Sequence, residues 1–126
     1  MKSIGENSRI KALIIDDEAD VCFLLSSLLR QKNVETGFVN SLTDAEKVLQ
    51  QESPCVIFLD NHLPDGMGID YIPNIRSVHP NSHIVMITAH DTSADRQKAL
   101  NSGADQFIAK PFNREMIFKT LEKISA

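Results

Sequence analysis

Cysteine is scarce in this sequence: two residues in 126, Cys22 and Cys55, each set in an apolar run (VCFLL and CVIFL). Neither takes part in a CxxC pair, which excludes a redox or zinc motif and predicts two buried free thiols in a reducing compartment. Long hydrophobic runs are missing. Nothing approaches the roughly 18 apolar residues of a membrane span, and no charged n-region leads into a hydrophobic h-region. A basic surplus is missing too: 13 Lys plus Arg stand against 17 Asp plus Glu, a formal charge of -4. That balance argues against direct contact with nucleic acid. Neither internal repeats nor low-complexity tracts occur. The expectation is a cytoplasmic protein that neither spans nor crosses a membrane. Its length suits one domain, and a 42% hydrophobic content supplies a core without disulfides or a structural metal.

Residues 1–9 (MKSIGENSR) are polar and predict a flexible N-terminal arm, which leaves 10–126 as the folded domain. Beyond the arm, short apolar runs alternate with longer amphipathic stretches. Lys11–Ile15 reads as a strand, and Glu18–Lys32 as a helix with Val21, Leu24, Leu25, Leu28 and Leu29 on one stripe. Thr36–Val39 is a weaker strand. In SLTDAEKVLQQ, Ser41 and Asp44 have capping-box spacing, and Leu42, Ala45, Val48 and Leu49 supply the apolar side. Cys55–Leu59 is apolar throughout, the pattern of a central parallel strand covered on both faces. Ile84–Ile87 repeats that pattern, and Gln106–Ala109 is a shorter fifth strand. Thr92–Ser102 is a helix with a Thr92/Asp95 capping box and Gly103 just past its end. Asn113 caps a last helix, Asn113–Ile124, buried through Ile117, Leu121 and Ile124. Gly68–Val78 contains Pro73, which suits a helix only if it starts late enough to put the proline in its first turn. Gly66 and Gly68 read as turn glycines. The alternation predicts an α/β fold, a doubly wound five-stranded parallel sheet with helices on both faces.

In such a sheet, ligands bind beyond the carboxyl ends of the strands. Asp16 and Asp17 follow the first strand, Asp60 the third, Thr88 the fourth and Lys110 the fifth. Three carboxylates, a hydroxyl and an ammonium therefore reach one edge. Crowded carboxylates raise one another's pKa unless a cation balances them. A hard divalent ion answers that need, and Mg²⁺ requires only one or two carboxylates plus phosphate oxygens. Soft ligands are missing from these loops, which argues against zinc or copper. With the ion in place, one carboxylate can accept a phosphoryl group while Lys110 and Thr88 neutralise charge on its oxygens. Asp16 and Asp17 also suit an N-cap for the following helix, and one of them can serve both roles.

The paired acids, Asp60 within FLDNHLPDGMG, Thr88–Ala89 and Lys110–Pro111 together resemble the response-regulator receiver domain, the CheY-like relative of flavodoxin, across residues 10–124. The resemblance implies strand order 2-1-3-4-5. It implies Asp60 as phosphoacceptor, with Mg²⁺ (or Mn²⁺ in its place) held by Asp16, Asp17, Asp60 and the backbone carbonyl of His62. Asp17 would be the direct ligand and Asp16 would act largely through water. Thr88 and Lys110 would contact the phosphoryl group, and Phe107 would be the aromatic that turns inward as Thr88 moves. Phe107 lacks the hydroxyl of the family's common tyrosine, and Met67 stands where many members carry a small polar or acidic residue before Gly68. His62 and His90, two residues beyond Asp60 and Thr88, would modulate dephosphorylation, and the Lys110–Pro111 bond would be cis. Partners implied are a histidine kinase or a histidine phosphotransfer protein, a downstream output protein or domain, and a second copy docking through the fourth helix, fifth strand and fifth helix, about residues 92–123.

Three rival readings deserve comparison. A phosphohydrolase of the haloacid-dehalogenase type needs a second aspartate two residues past the nucleophile, where this chain has His62. A flavin-binding unit needs a phosphate-cradling loop where Asp16 and Asp17 would repel the phosphate. A degenerate receiver that only docks would not keep all five chemical residues. The expected chemistry is thus confined to the domain's own phosphorylation and slow dephosphorylation, with no turnover of an outside substrate. The chain is either a stand-alone receiver or a piece of a longer protein.

Overall fold

The computed structural model describes residues 10–89 and 92–125. The predicted arm at 1–9, and His90, lie outside the described residues. Five strands, β1 (Lys11–Ile15), β2 (Glu35–Val39), β3 (Val56–Asp60), β4 (His83–Thr88) and β5 (Gln106–Ala109), form one sheet. Its order is β2-β1-β3-β4-β5, and every pairing is parallel. Helices α1 (Ala19–Arg30), α2 (Leu42–Gln51), α3 (Gly68–Val78), α4 (Ser93–Asn101) and α5 (Arg114–Ser125) connect and cover it. None of the described helices is long and apolar enough to cross a membrane.

Strand periodicity divides the core in two. Along β3, Val56 and Phe58 face α1 and α5, where they meet Cys22, Leu25, Leu29, Ile117 and Leu121. Ile57 and Leu59 face the other way, toward Ala45 and Leu49 of α2, Ile69, Ile72 and Ile75 of α3, and Ala99 of α4. Successive side chains of a strand alternate faces, so a strand covered on both sides must be apolar at every position. This is why Val56–Leu59, four of the five residues in the run predicted as a central strand, are all buried.

Several sequence expectations need adjusting. Cys55 lies one residue before β3 and is exposed, whereas Cys22 is buried. An apolar neighbourhood in sequence does not bury a residue at the solvent end of a strand. Helix α1 buries Cys22, Leu25, Ser26, Leu28 and Leu29, while Leu24 faces solvent, because the helix turns its packing face slightly from the predicted stripe. Pro73 sits in the second turn of α3, not the first. Its missing N–H forfeits one intrahelical bond. The buried stripe Ile69, Ile72 and Ile75 on either side carries the helix through it.

Caps follow the predicted chemistry. The Ser41 hydroxyl accepts the Asp44 N–H at 3.1 Å, Thr92 accepts Asp95 N–H at 3.0 Å, and the Asn113 side chain accepts Met116 N–H at 2.9 Å. Past α4, Gly103 adopts φ +115°, a conformation that favours glycine. A staple invisible in the sequence lies at the opposite end of the sheet from the paired acids. There the Arg76 guanidinium of α3 donates to the carbonyls of Pro80, Ser82 and Gly103 and pairs with Asp105.

Ile57 is wholly buried at the centre of the sheet. Ile57→Ala is expected to cost about 2–5 kcal/mol in urea unfolding, and an unchanged midpoint would contradict this packing.

Candidate functional site

The site forms where β1, β3, β4 and β5 end. Parallel strands in order β2-β1-β3-β4-β5 bring those carboxyl ends to one edge, and the order reverses between β1 and β3. Asp16 follows β1 and is only 2% exposed; Asp60 is the last residue of β3 and 5% exposed. Thr88 ends β4, also buried, and its carbonyl accepts the Lys110 N–H at 2.8 Å. Lys110 follows β5, and the Lys110–Pro111 bond is cis.

The Lys110 ammonium lies 3.0 Å from Asp16 Oδ2, 2.7 Å from Glu18 Oε1 and 3.6 Å from Asp60 Oδ1. Burial alone would lower the Lys110 pKa, but the hydrogen bonds to Glu18 and Asp16 and the charge of Asp60 together raise it. Lys110 is therefore a fixed positive charge. Burial is also the main influence on the acids. It raises the Asp16 pKa despite the Glu18 N–H and Lys110, and burial with the charge of Asp16 pushes Asp60 up to about 6. Asp16 is held in register by its backbone: its N–H donates to Val39 O, and its carbonyl accepts from Asn40 Nδ2 at 2.8 Å.

The acid pair gains a third member. Carboxylate oxygens of Asp16, Asp17 and Glu18 lie within 4.8 Å of one another, Asp16 buried and the others exposed. Glu18 was expected only as the start of the helix. The run DDE carried the signal, masked by the equal fitness of an acid for a helix first turn. The helix begins one residue later, at Ala19, and Glu18 is its N-cap without a side-chain cap bond. The cap reading of Asp16 holds in altered form: Asp16 Oδ1 accepts the Glu18 N–H at 2.9 Å. Asp60 falls outside the acidic trio, and Lys110 spans the gap.

These donors fit a hard cation. All are carboxylate oxygens, and the nearest thiol is held protonated. Cys22 Sγ donates to the Asp16 carbonyl at 3.4 Å, and burial and then the Asp16 charge push its pKa up to about 11. The cluster suits Mg²⁺.

The loop after β3 is fixed by Asn61, which the sequence did not single out. Its N–H donates to Asp60 Oδ1 at 2.9 Å, its carbonyl accepts from Gly68 N at 2.8 Å, and its side-chain oxygen accepts from Ile69 N at 3.0 Å. Within the loop, His62–Leu63 and Gly66–Met67 pair as a short antiparallel ribbon. Gly68 is needed for close approach, not for turn freedom: a Cβ there would lie 2.1 Å from the Asp60 carbonyl oxygen. A cleft of about 160 Å³ opens beside Thr88, lined also by His62, Met67, Lys98 and Phe107. Phe107 is half-buried, with the Arg96 guanidinium 5.0 Å from its ring centre.

A doubly wound sheet with this acidic edge defines a receiver domain of two-component signalling, and a family model described as response regulator receiver domain matches residues 12–122. The chain belongs to that family. It is 35% identical over 118 residues to the response regulator protein PilR of Pseudomonas aeruginosa, covering 90% of this chain and 26% of that protein. It is 28% identical to the chemotaxis protein CheY of Thermotoga maritima, covering 91% of this chain and 97% of CheY. The beryllofluoride-activated NtrC4 receiver domain dimer superposes with a TM-score of 0.86 at 32% identity, covering 90% and 94% of the two chains. Against PilR the chain spans about a quarter of the relative's length, and about half against two further transcriptional regulators. As a receiver domain the chain presents an acidic cluster positioned for Mg²⁺-assisted phosphorylation of an aspartate. Membership implies a histidine kinase or phosphotransfer protein as donor.

Two predictions follow from this geometry. Gly68→Ala should cost about 1–3 kcal/mol in chemical unfolding, because the added methyl meets backbone that cannot move aside. The second concerns pH. The Asp60 pKa is raised by folding, so protonation favours the fold below about pH 4, and that contribution is lost as pH rises through about 6. Asp16 shifts in the same direction. Mg²⁺ needs the ionised carboxylates, so its stabilising effect runs the other way. Calorimetry should show Mg²⁺ raising Tm more at about pH 7.5 than at about pH 5, and equal increments would contradict the assignment.

Proposed function

We propose that Asp60 is the phosphoacceptor. The observation that carries this reading is the Lys110 ammonium seated between Asp16 and Asp60, both buried, at the carboxyl edge of the sheet. An Asp60 oxygen attacks phosphorus of a phosphohistidine, the P–O bond forms as the P–N bond breaks, and the imidazole leaves with the electron pair. Bound Mg²⁺ supplies charge neutralisation at the phosphoryl oxygens. Asp16 has one oxygen engaged by the Glu18 N–H and the other by Lys110, which favours Asp17 as the direct ligand beside Asp60 and the His62 carbonyl. The Asn61 N–H holds the Asp60 carboxylate in orientation. Lys110 exchanges its carboxylate partners for a phosphoryl oxygen, and the Thr88 hydroxyl takes another.

The readout is a population shift. As Thr88 moves toward the phosphoryl group, the cleft it shares with Phe107 changes shape, and the ring turns inward. That alters the surface of α4, β5 and α5, where an output protein, an output domain or a second copy docks. The NtrC4 receiver, described as a dimer when activated by beryllofluoride, supports the last of these. His62 lines the same cleft and is suited to tune hydrolysis; the same role is proposed for His90.

Incubation with Mg²⁺ and phosphoramidate should add one phosphoryl group per chain, labile to hydroxylamine and seen by mass spectrometry. Asp60→Asn should abolish it, and full labelling of that variant would refute the assignment.

A further inference from the structure

The loop carrying Asn61 and His62 is tied at both ends to helix N-termini. At its base, both oxygens of Asn61 take the first two amides of α3, Gly68 and Ile69. At its tip, Asp65 reaches across to α2. Asp65 Oδ1 accepts the Leu42 N–H at 2.8 Å, and Oδ2 accepts the Thr43 N–H at 2.9 Å and the Thr43 hydroxyl at 2.7 Å. Ser41 already serves the third amide of that turn, Asp44. Asp65 thus completes the capping of α2 from a segment more than twenty residues away in sequence. A carboxylate at a helix N-terminus is also stabilised by the backbone dipoles, and these bonds hold its pKa below the usual value.

We propose that Asp65 is a positioning residue for phosphoryl acceptance: by latching the loop tip to α2, it orders the segment that carries the His62 carbonyl and the Asn61 N–H beside Asp60. This rests on the reading of Asp60 as phosphoacceptor and of His62 as a metal ligand. A loop between two rigid attachments needs no further ordering when the ion binds, so the latch lowers the entropic cost of binding. With that attachment removed, the ribbon of residues 62–67 loses its tie to α2, while its own short pairing and the Asn61 base remain.

The test compares Asp65→Ala with Ser41→Ala. Each removes capping bonds from the first turn of α2, but only the first frees the loop. Both should lower Tm. Only Asp65→Ala should weaken Mg²⁺ binding by calorimetric titration, by about tenfold, the low end of what losing an indirect support of a ligand costs. Phosphoramidate labelling should slow in proportion at limiting Mg²⁺ and recover at saturating Mg²⁺. In the metal-free protein, amide exchange across residues 61–67 should quicken in Asp65→Ala alone. If both variants lose stability yet bind Mg²⁺ as the wild type does, Asp65 is only a helix cap and the proposal falls, with the phosphoacceptor assignment intact. Wild-type protein that is not labelled at Asp60 overturns that assignment and this inference together. Should Asp65→Ala not fold, Asp65→Asn keeps one acceptor oxygen and should show a smaller loss of Mg²⁺ affinity; parity with wild type overturns the proposal.

Discussion

Asp16 and Asp60 lose most of their water on folding, and no apolar packing can compensate two ionised carboxylates side by side. Lys110 is what makes the arrangement tolerable, since its ammonium touches both, with Glu18 as a third partner at the rim. The compensation is incomplete. Both acids still keep raised pKa values, so the site retains a demand for positive charge that a hard divalent ion answers. A site that Lys110 fully satisfied would have less reason to bind a cation.

That electrostatic arrangement constrains the whole sheet. Lys110 belongs to the end of β5, Asp60 to β3 and Asp16 to β1, and they meet only because all strands run parallel in the observed order. The two hydrophobic layers clamp the sheet from both sides and so keep this edge assembled, with β3 buried on both faces at its centre. The loop after β3 is then fixed by polar bonds where apolar packing ends. Asn61 ties it to α3, Asp65 ties it to α2, and Gly68 lets the chain pass against the Asp60 carbonyl.

Much of this was legible from residue order. Apolar runs of strand length located all five strands, and turn chemistry located the caps of α2, α4 and α5. The residues after those runs announced an acidic edge with a lysine. What escaped shares one physical character: it depends on contacts between segments distant in sequence. Glu18 reads locally as a helix start, and only the fold reveals it as a partner of Lys110. Asn61 and Asp65 carry no local signature of their roles, because their amide partners lie on helices that packing brings near. Cys55 reads as core because its neighbours are apolar, yet it sits at the strand's solvent end.

By itself the sequence determined the fold class, the order of elements and the chemical types gathered at one edge, because strand and helix periodicities are local and strand-end residues follow directly from them. Tertiary structure alone decided which of those groups touch, how deeply each acid is buried and where the loop after Asp60 is anchored. Distances and desolvation arise only when separate strands and helices are packed together, and no local pattern encodes them.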